Sequence, residues 1–355
     1  MSRFQKIAAR LKDYDLDALL ILSEPNRLYA TGFHSTAGAV LVTPEESYFF
    51  TDSRYIEAAR RRVTEGVVEE NTRQRNTDQL LTEALQRHNV RRLGYEDTRT
   101  TVAEYRRLGG KLPAELVPAK DLLENLRASK EPCEIAEMVK AQRIAEAALS
   151  EALNLIRPGR TEQEIAAFLQ YQMLLRGAEK MSFDPIVVSG ANSSMPHGVP
   201  SEKPVERGDF VTMDFGCVCG GYCSDMTRTV AVGSVTEEME QVYHTVLQAQ
   251  LAGIGTARAG VTGAAIHAAG EQVIAEAGYG PYFGHGFGHS LGIEIHEGPN
   301  AAPAGKRPMP AGAVISAEPG VYLPGRFGVR IEDVLVLRED GCENITLANK
   351  ELIIL

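Results

Sequence analysis

A faint internal repeat constrains this chain more than any other feature of its sequence. Gly159-Arg160-Thr161 with Ile165, Ala167 and Gly177 recurs 101 residues later as Gly260-Val261-Thr262 with Ile266, Ala268 and Gly278. Each copy reads as a helix opened by threonine at its N-cap and closed by glycine. A second segment repeats too. Gly208, Asp214 and Gly216 are echoed 104 residues on by Gly312, Glu318 and Gly320, and Asp225 has a looser counterpart in Glu332. Acidic residue falls on acidic residue, which the abundance of glycine and alanine does not explain. A duplicated unit of two helices and a hairpin would bring two acidic hairpins together about a pseudo-twofold axis.

The first hairpin is Val211 to Val230. Val211, Met213 and Phe215 alternate with Thr212 and Asp214 on the way in, Gly220 and Gly221 supply the turn, and Tyr222 to Val230 run back out. A turn centred on Cys219-Gly220 puts Asp214 directly opposite Asp225, with Cβ atoms roughly 4.5–5.5 Å apart. A turn centred on Gly220-Gly221 makes Asp225 a diagonal neighbour on the same face. Either register holds two like charges side by side in an apolar ribbon, which sheet energetics disfavour. A cation between them removes the objection; a solvated sheet face that happens to carry two aspartates is the other reading.

Gly284 to Asn300, GHGFGHSLGIEIHEGPN, holds His285, His289 and His296, three of the chain's eight histidines in twelve residues. Its glycines rule out a stable helix and point to strand or tight loop with close backbone approach. Three imidazoles so spaced, beside an acidic repeat, are poorly explained by packing. His197, in the turn-rich segment from Phe183 to Pro200, adds a fourth. Asp214, Asp225, His289, Glu318 and Glu332 together form a hard, oxygen-rich set. It suits two Mn²⁺-like ions better than a thiolate zinc site. Carboxylates bridge ion pairs roughly 3.5–4 Å apart, a standard hydrolytic device, and the remaining imidazoles can donate to a developing oxyanion.

The rest of the chain sets the frame. At 355 residues it is long for one domain and comfortable for two. Residues 1–125 read as an α/β layer domain, with helices at Phe4–Leu11, Tyr55–Val63 and Thr77–His88 and strands at Ala18–Leu22, Gly38–Thr43, Ser47–Thr51 and Arg92–Tyr95. It shows no phosphate loop and no nucleophile motif. The charged stretch Leu122–Pro132 leads into a long helix, Glu134–Leu155, and the boundary is set near 125. Glu131, Glu134 and Glu137 suit the helix dipole there, and Ile135, Met138 and Val139 face the core.

The net charge of −10 argues against nucleic acid or an anionic membrane as the main partner. No signal-peptide core and no membrane-length apolar run is present. Five cysteines are then expected as reduced thiols in a cytoplasmic protein. Cys217, Cys219 and Cys223 fit no structural zinc spacing and read as small apolar filler.

In order along the chain, DFG…SD…T, HGFGHxxG…HE, EPGVY and GVRIED resemble the pita-bread metallopeptidases: methionine aminopeptidase, aminopeptidase P, prolidase and the metal-free creatinase. The stretch TGFHSTAGAVLV…FFTDSRY resembles the creatinase/prolidase N-terminal domain, which points to the aminopeptidase P and prolidase branch. The resemblance implies an α/β domain over 1–125 and an α+β pita-bread domain with pseudo-twofold repeat over 126–355. It implies that Asp214 chelates one ion, that Asp225 and Glu332 bridge, and that His289 and Glu318 hold the other. Glu318 would also handle the proton of the attacking water. His296 and His197 would contact the substrate around the scissile bond, His285 would line the pocket beyond the cut, and Arg330 would pair with site carboxylates around the substrate.

The ions implied are two per chain, Mn²⁺ first and Co²⁺ or Zn²⁺ next, in a homodimer. The implied reaction removes an N-terminal residue ahead of proline, from a dipeptide or a longer peptide. An Xaa-Pro bond has no N–H and a ring crowds its carbonyl, so peptidases that hold that N–H are disarmed, whereas a dimetal site can hold the free amine and the carbonyl instead. A metal hydrolase acting on a non-peptide substrate and a non-catalytic binding protein are the competing readings of the same frame.

Overall fold

Six short strands organise the first part of the chain. In the computed structural model, which describes residues 1–355, the chain divides into two units, Met1–Arg127 and Ala128–Leu355. In the first unit β1 (Ala18–Ile21), β2 (Ala39–Val42), β3 (Ser47–Thr51), β4 (Val67–Glu70), β5 (Arg92–Tyr95) and β6 (Glu115–Pro118) form one mixed sheet in the order β4-β3-β2-β1-β5-β6. Three of the four interior strands, β1, β2 and β3, are buried along their whole length, as a sheet covered on both faces requires. Around them run α1 (Arg3–Arg10), α2 (Glu24–Thr31), α3 (Ile56–Arg62), α4 (Thr77–Arg87) and α5 (Val102–Gly109). Capping boxes start α1, α4 and α5, through Ser2 with Gln5, Asn76 with Gln79 and Thr101 with Glu104.

Four of these elements, α2, β4, α5 and β6, are additions to the sequence reading. Strands β4 and β6 lie at the two sheet edges and are only partly buried, so they lack the apolar run that marks a core strand. Helix α2 buries Asn26 and Arg27, which blurs its apolar period.

Residue 125 lies inside a short helix, α6 (Leu122–Ala128). Then comes α7 (Pro132–Leu155), with proline at its first position, where no N–H is needed. Glu131 and Glu134 close a capping box across its start, and the Glu131 N–H donates to Glu134 at 2.8 Å. Helices α8 (Glu162–Leu175), α9 (Glu237–Thr256) and α10 (Gly263–Glu276) complete the helical layer.

The strands fall into two matching sets. Next to β7 (Lys180–Met181), the strands β8 (Ile186–Ser189), β9 (Phe210–Phe215), β10 (Cys217–Cys219), β11 (Tyr222–Cys223) and β12 (Met226–Ala231) build the first set. The second contains β13 (Gly288–Ser290), β14 (Glu297–Ala301), β15 (Val314–Ala317), β16 (Gly320–Leu323), β17 (Phe327–Arg330), β18 (Asp333–Leu337) and β19 (Cys342–Asn344). Their cores, β8-β9-β12 and β13-β15-β18, are both antiparallel triplets.

The repeat extends to single hydrogen bonds. Thr161 caps α8 and bridges to Pro204; Thr262 caps α10 and bridges to Pro308. The Gly159 N–H donates to Val205 O and the Gly260 N–H to Met309 O, both at 2.9 Å. Gly177 and Gly278, just past the two helices, take φ of 96° and 85°, the left-handed turn that ends a helix.

In the first hairpin Asp214 pairs with Thr227 and Val211 with Val230. Gly220-Gly221 is therefore the turn, and Asp225 is the diagonal neighbour of Asp214 rather than its direct partner. The ribbon is also not continuous. It parts at Gly216, between the β9/β12 ladder and the β10/β11 ladder. A Cβ at Gly216 would lie 2.0 Å from the Ser224 carbonyl oxygen, so only glycine allows this crossing. The break leaves Asp225 outside both ladders.

Candidate metal centre

A cavity of about 480 Å³ lies where the two strand sets meet, and it is lined by His197, Asp214, Asp225, His285, His289, His296, Glu318, Arg330 and Glu332. All nine residues singled out in the sequence thus face one space. The backbone explains most of the convergence. Asp214 is next to last in β9, Asp225 sits at the hairpin break, His289 is central in β13, Glu318 follows β15, and Arg330 and Glu332 flank the step from β17 to β18. His197 comes from the loop after β8, and His296 from the loop between β13 and β14.

The donor atoms of Asp225, His289 and Glu332 lie within 4.8 Å of one another. His289 Nε2 is 3.3 Å from Glu318 Oε1 and 3.5 Å from Asp225 Oδ2. Its Nδ1 lies 3.2 Å from the Ser290 carbonyl. With the ring proton donated there, Nε2 points a lone pair at two carboxylates. Nothing in the protein makes that arrangement favourable, and a cation between the three groups does.

The charge balance says the same. Asp225 is 4% exposed and Glu332 1%. Burial pushes both carboxyls well above the ordinary range, and each is pushed further by its acidic neighbours. Burial raises Glu318 as well, against the pull of His285 and Arg330. Asp333 is just as buried, yet it has Arg228 at 2.8 Å and Lys350 at 2.6 Å. Asp225 and Glu332 have no such counter-ion among the ion pairs of the chain. Asp214 Oδ1 and Glu332 Oε1 are buried without any hydrogen-bond partner, which native structures rarely tolerate. Two orphaned carboxylate oxygens, an imidazole lone pair and an oxygen-rich donor set fit divalent cations.

The remaining oxygens are held by the protein. Arg330 Nη2 binds Asp214 Oδ2, its Nη1 donates to Tyr322 Oη at 2.9 Å, and its Nε donates to Thr227 Oγ1 at 3.1 Å. Thr227 in turn donates to Glu332 Oε2 at 2.7 Å. Ser316 Oγ accepts the His289 N–H at 3.0 Å and donates to Glu318 Oε1 at 2.9 Å. His285 Nδ1 lies 2.8 Å from the Gly286 carbonyl and its Nε2 3.0 Å from Tyr322 Oη. His296 stands edge-on to His289, with ring centroids 4.4 Å apart. Burial lowers the pKa of His285, His289 and His296, which favours their neutral forms.

Sequence reasoning singled out no role for Ser316, Tyr322 or Glu162. Ser316 lies on β15 two residues before Glu318, which follows the strand directly, and its hydroxyl reaches the Glu318 carboxylate. Tyr322 stands in EPGVY, within reach of the site only because β16 folds back on β17. Glu162 is fully buried at the start of α8. Its carboxylate accepts from Ser189 N and Oγ, Asn192 Nδ2 and Ser201 N and Oγ, at 2.5–3.1 Å for the closest bond of each group. It thereby ties down both ends of the loop that carries His197.

Residues 136–339 match the model of metallopeptidase family M24, and residues 3–129 match the creatinase/prolidase N-terminal domain. The chain is 34% identical to the Xaa-Pro dipeptidase of Pyrococcus horikoshii, over 99% of this chain and 98% of that one. Among solved structures it resembles an Xaa-Pro dipeptidase from Bacillus anthracis, with a TM-score of 0.96, 39% identity and 99% of each chain covered. An X-Pro aminopeptidase from Thermotoga maritima superposes with a TM-score of 0.92 at 35% identity, covering 97% of this chain and 99% of that one. The frame is shared with these enzymes over nearly its whole length, and the chain belongs to metallopeptidase family M24.

Proposed function

We propose that this protein is a dinuclear metal-dependent exopeptidase that removes an N-terminal residue standing before proline. The observation that carries the reading is the set of buried carboxylates without a counter-ion, Asp225 and Glu332 above all, in a cavity that also offers four imidazoles. Relatives and structural neighbours named Xaa-Pro dipeptidase or X-Pro aminopeptidase support the substrate class.

Asp214, Asp225, His289, Glu318 and Glu332 would hold two ions, with Mn²⁺ the best match to so many carboxylates. When bound, such ions acidify water and polarise a carbonyl. Everything else is work for the chain itself. Arg330 and Thr227 fix one oxygen each of Asp214 and Glu332 and leave the others for metal. Glu318 accepts Ser316 on Oε1. Its raised pKa suits a group that takes a proton from the attacking water and passes it to the leaving nitrogen. His296 and His197, both on the open side of the cavity, would donate to the substrate carbonyl region, and neutral His285 would flank the proline ring. Arg330 acts on the substrate indirectly, by orienting Asp214 and Tyr322. All five cysteines are unpaired, which supports a reducing, cytoplasmic setting.

The test is a substrate panel run on Mn²⁺-supplemented protein. Ala-Pro-led peptides should be cleaved far faster than Ala-Ala analogues, and N-acetylation should remove turnover because the free amine belongs at the metal site. Comparable kcat/KM for the proline and alanine series would overturn the proline assignment and leave the metal hydrolase standing.

A further inference from the structure

We infer that the pocket selects peptides longer than two residues, because no lysine lines it and its one arginine is already engaged, so no side-chain cation is left to receive the free carboxylate that a dipeptide carries on its proline. The inference rests on the Xaa-Pro reading above. In an Xaa-Pro dipeptide the terminal carboxylate sits one carbon from the scissile nitrogen, so it cannot stay outside a cavity that encloses that bond. An anion brought into such a space needs a cation or several donors. In a longer peptide the same position is a neutral amide, which asks for much less.

Arg330 is the one guanidinium in the lining, and no lysine joins it. All three of its nitrogens are engaged by the protein: Nη2 by Asp214, Nη1 by Tyr322 and by Pro196 O at 3.3 Å, and Nε by Thr227. His285 is the imidazole assigned to the side beyond the cut. Both its ring nitrogens are occupied, by Gly286 O and Tyr322 Oη.

The wall next to His285 is small and neutral. Gly286 packs against Ala302, where an added Cβ would lie 3.1 Å from the alanine Cβ. Asn300 lines the same cavity; its Oδ1 accepts the Ser290 N–H at 3.4 Å, which leaves its NH₂ as a neutral donor. That donor fits a peptide carbonyl. Asp184, exposed on the lining without a cation partner, opposes a second negative charge.

The deciding experiment compares Ala-Pro, Ala-Pro-amide and Ala-Pro-Ala on the metal-loaded full-length chain. Amide and tripeptide should exceed the free dipeptide by about ten-fold or more in kcat/KM, with the difference largely in KM. As products, Pro-Ala should inhibit competitively more tightly than proline. Asn300→Arg should raise kcat/KM on Ala-Pro about ten-fold, as a new charge-assisted pair does, and leave Ala-Pro-amide unimproved. Equal or better cleavage of Ala-Pro than of its amide overturns the inference, whatever the variant does, while a retained preference over Ala-Ala keeps the Xaa-Pro reading intact. Failure to cleave any of the three overturns both.

Discussion

In the half of the second unit that runs from α7 to β12, helix α8 starts with Thr161-Glu162. In the half that runs from α9 to β18, helix α10 starts with Thr262-Gly263. The frame around these two starts is the same, down to the threonine caps and the bridges to Pro204 and Pro308. The residue after the threonine does opposite things. Glu162 reaches out with a carboxylate and collects donors from the His197 loop. Gly263 withdraws, and the Asn300 carbonyl oxygen occupies the space where a Cβ would come within 1.9 Å.

Both devices hold a wall of the cavity, one by hydrogen bonds and one by close packing. The acids behave differently. Asp214 and Asp225 in one half answer Glu318 and Glu332 in the other, so the carboxylates of the proposed metal cage are close to symmetric. The imidazoles are not: His285, His289 and His296 come from the second half and only His197 from the first. The contrast teaches that the duplicated frame supplies the charge, and that divergence between the copies supplies the substrate walls.

The sharpest way to break the comparison is to remove one acid from each half. Asp225→Asn and Glu332→Gln keep shape and lose a charge, and each should reduce activity below detection and lower the metal content of the purified protein. Full activity in either variant would separate the two acids from the ions. Next in size is His296→Ala, for which kcat should fall roughly 10²–10³-fold with metal content near normal, the usual effect of one preorganised donor. Loss of an ion in that variant would show that His296, rather than His289, is a ligand.

The two helix starts give smaller and distinguishable effects. Gly263→Ala should cost about 1–3 kcal/mol of stability, an overpacking effect, read as a lower Tm with kcat in the surviving folded enzyme nearly unchanged. Glu162→Gln turns an acceptor into a donor facing donors. It should reduce kcat/KM several-fold through the His197 loop, with metal content intact. Restoration of activity by Glu162→Asp would show that the carboxylate itself holds the loop.

The smallest expected effect concerns pH. Asp225, Glu318 and Glu332 bind protons more tightly in the folded metal-free chain than in the unfolded one. Above the ordinary carboxylate range of about 4 the folded state therefore holds more protons, and stability falls as pH rises. Thermal unfolding of chelator-treated protein should show Tm decreasing from about pH 5 toward neutrality through these groups, and Mn²⁺ should cancel or reverse the slope.

Much of this was legible in the sequence because it was periodic or repeated. Strands β1, β2, β3 and β5 carry apolar runs or alternation, and the threonine-to-glycine helices recur at a fixed interval. The register of the hairpin was open, since either turn centre suits its glycines; the clash of a Gly216 Cβ with the Ser224 carbonyl lies outside what a pattern records. Glu162 was silent for a similar reason. Its partners Ser189, Asn192 and Ser201 lie 27 to 39 residues away and are polar residues common in any loop. Tyr322 joins Arg330 and His285 only after β16 and β17 pair. What escaped the sequence is three-dimensional closure, not chemistry.

The buried acids are proposed as a cage for two divalent ions. The most direct test is the metal stoichiometry of Mn²⁺-supplemented, dialysed protein, measured on the sample used for Xaa-Pro hydrolysis with and without chelator. Two ions per chain, with activity lost in chelator and recovered with Mn²⁺, are expected. Protein that holds no divalent ion after supplementation and cleaves Xaa-Pro peptides undiminished in chelator would contradict the proposal.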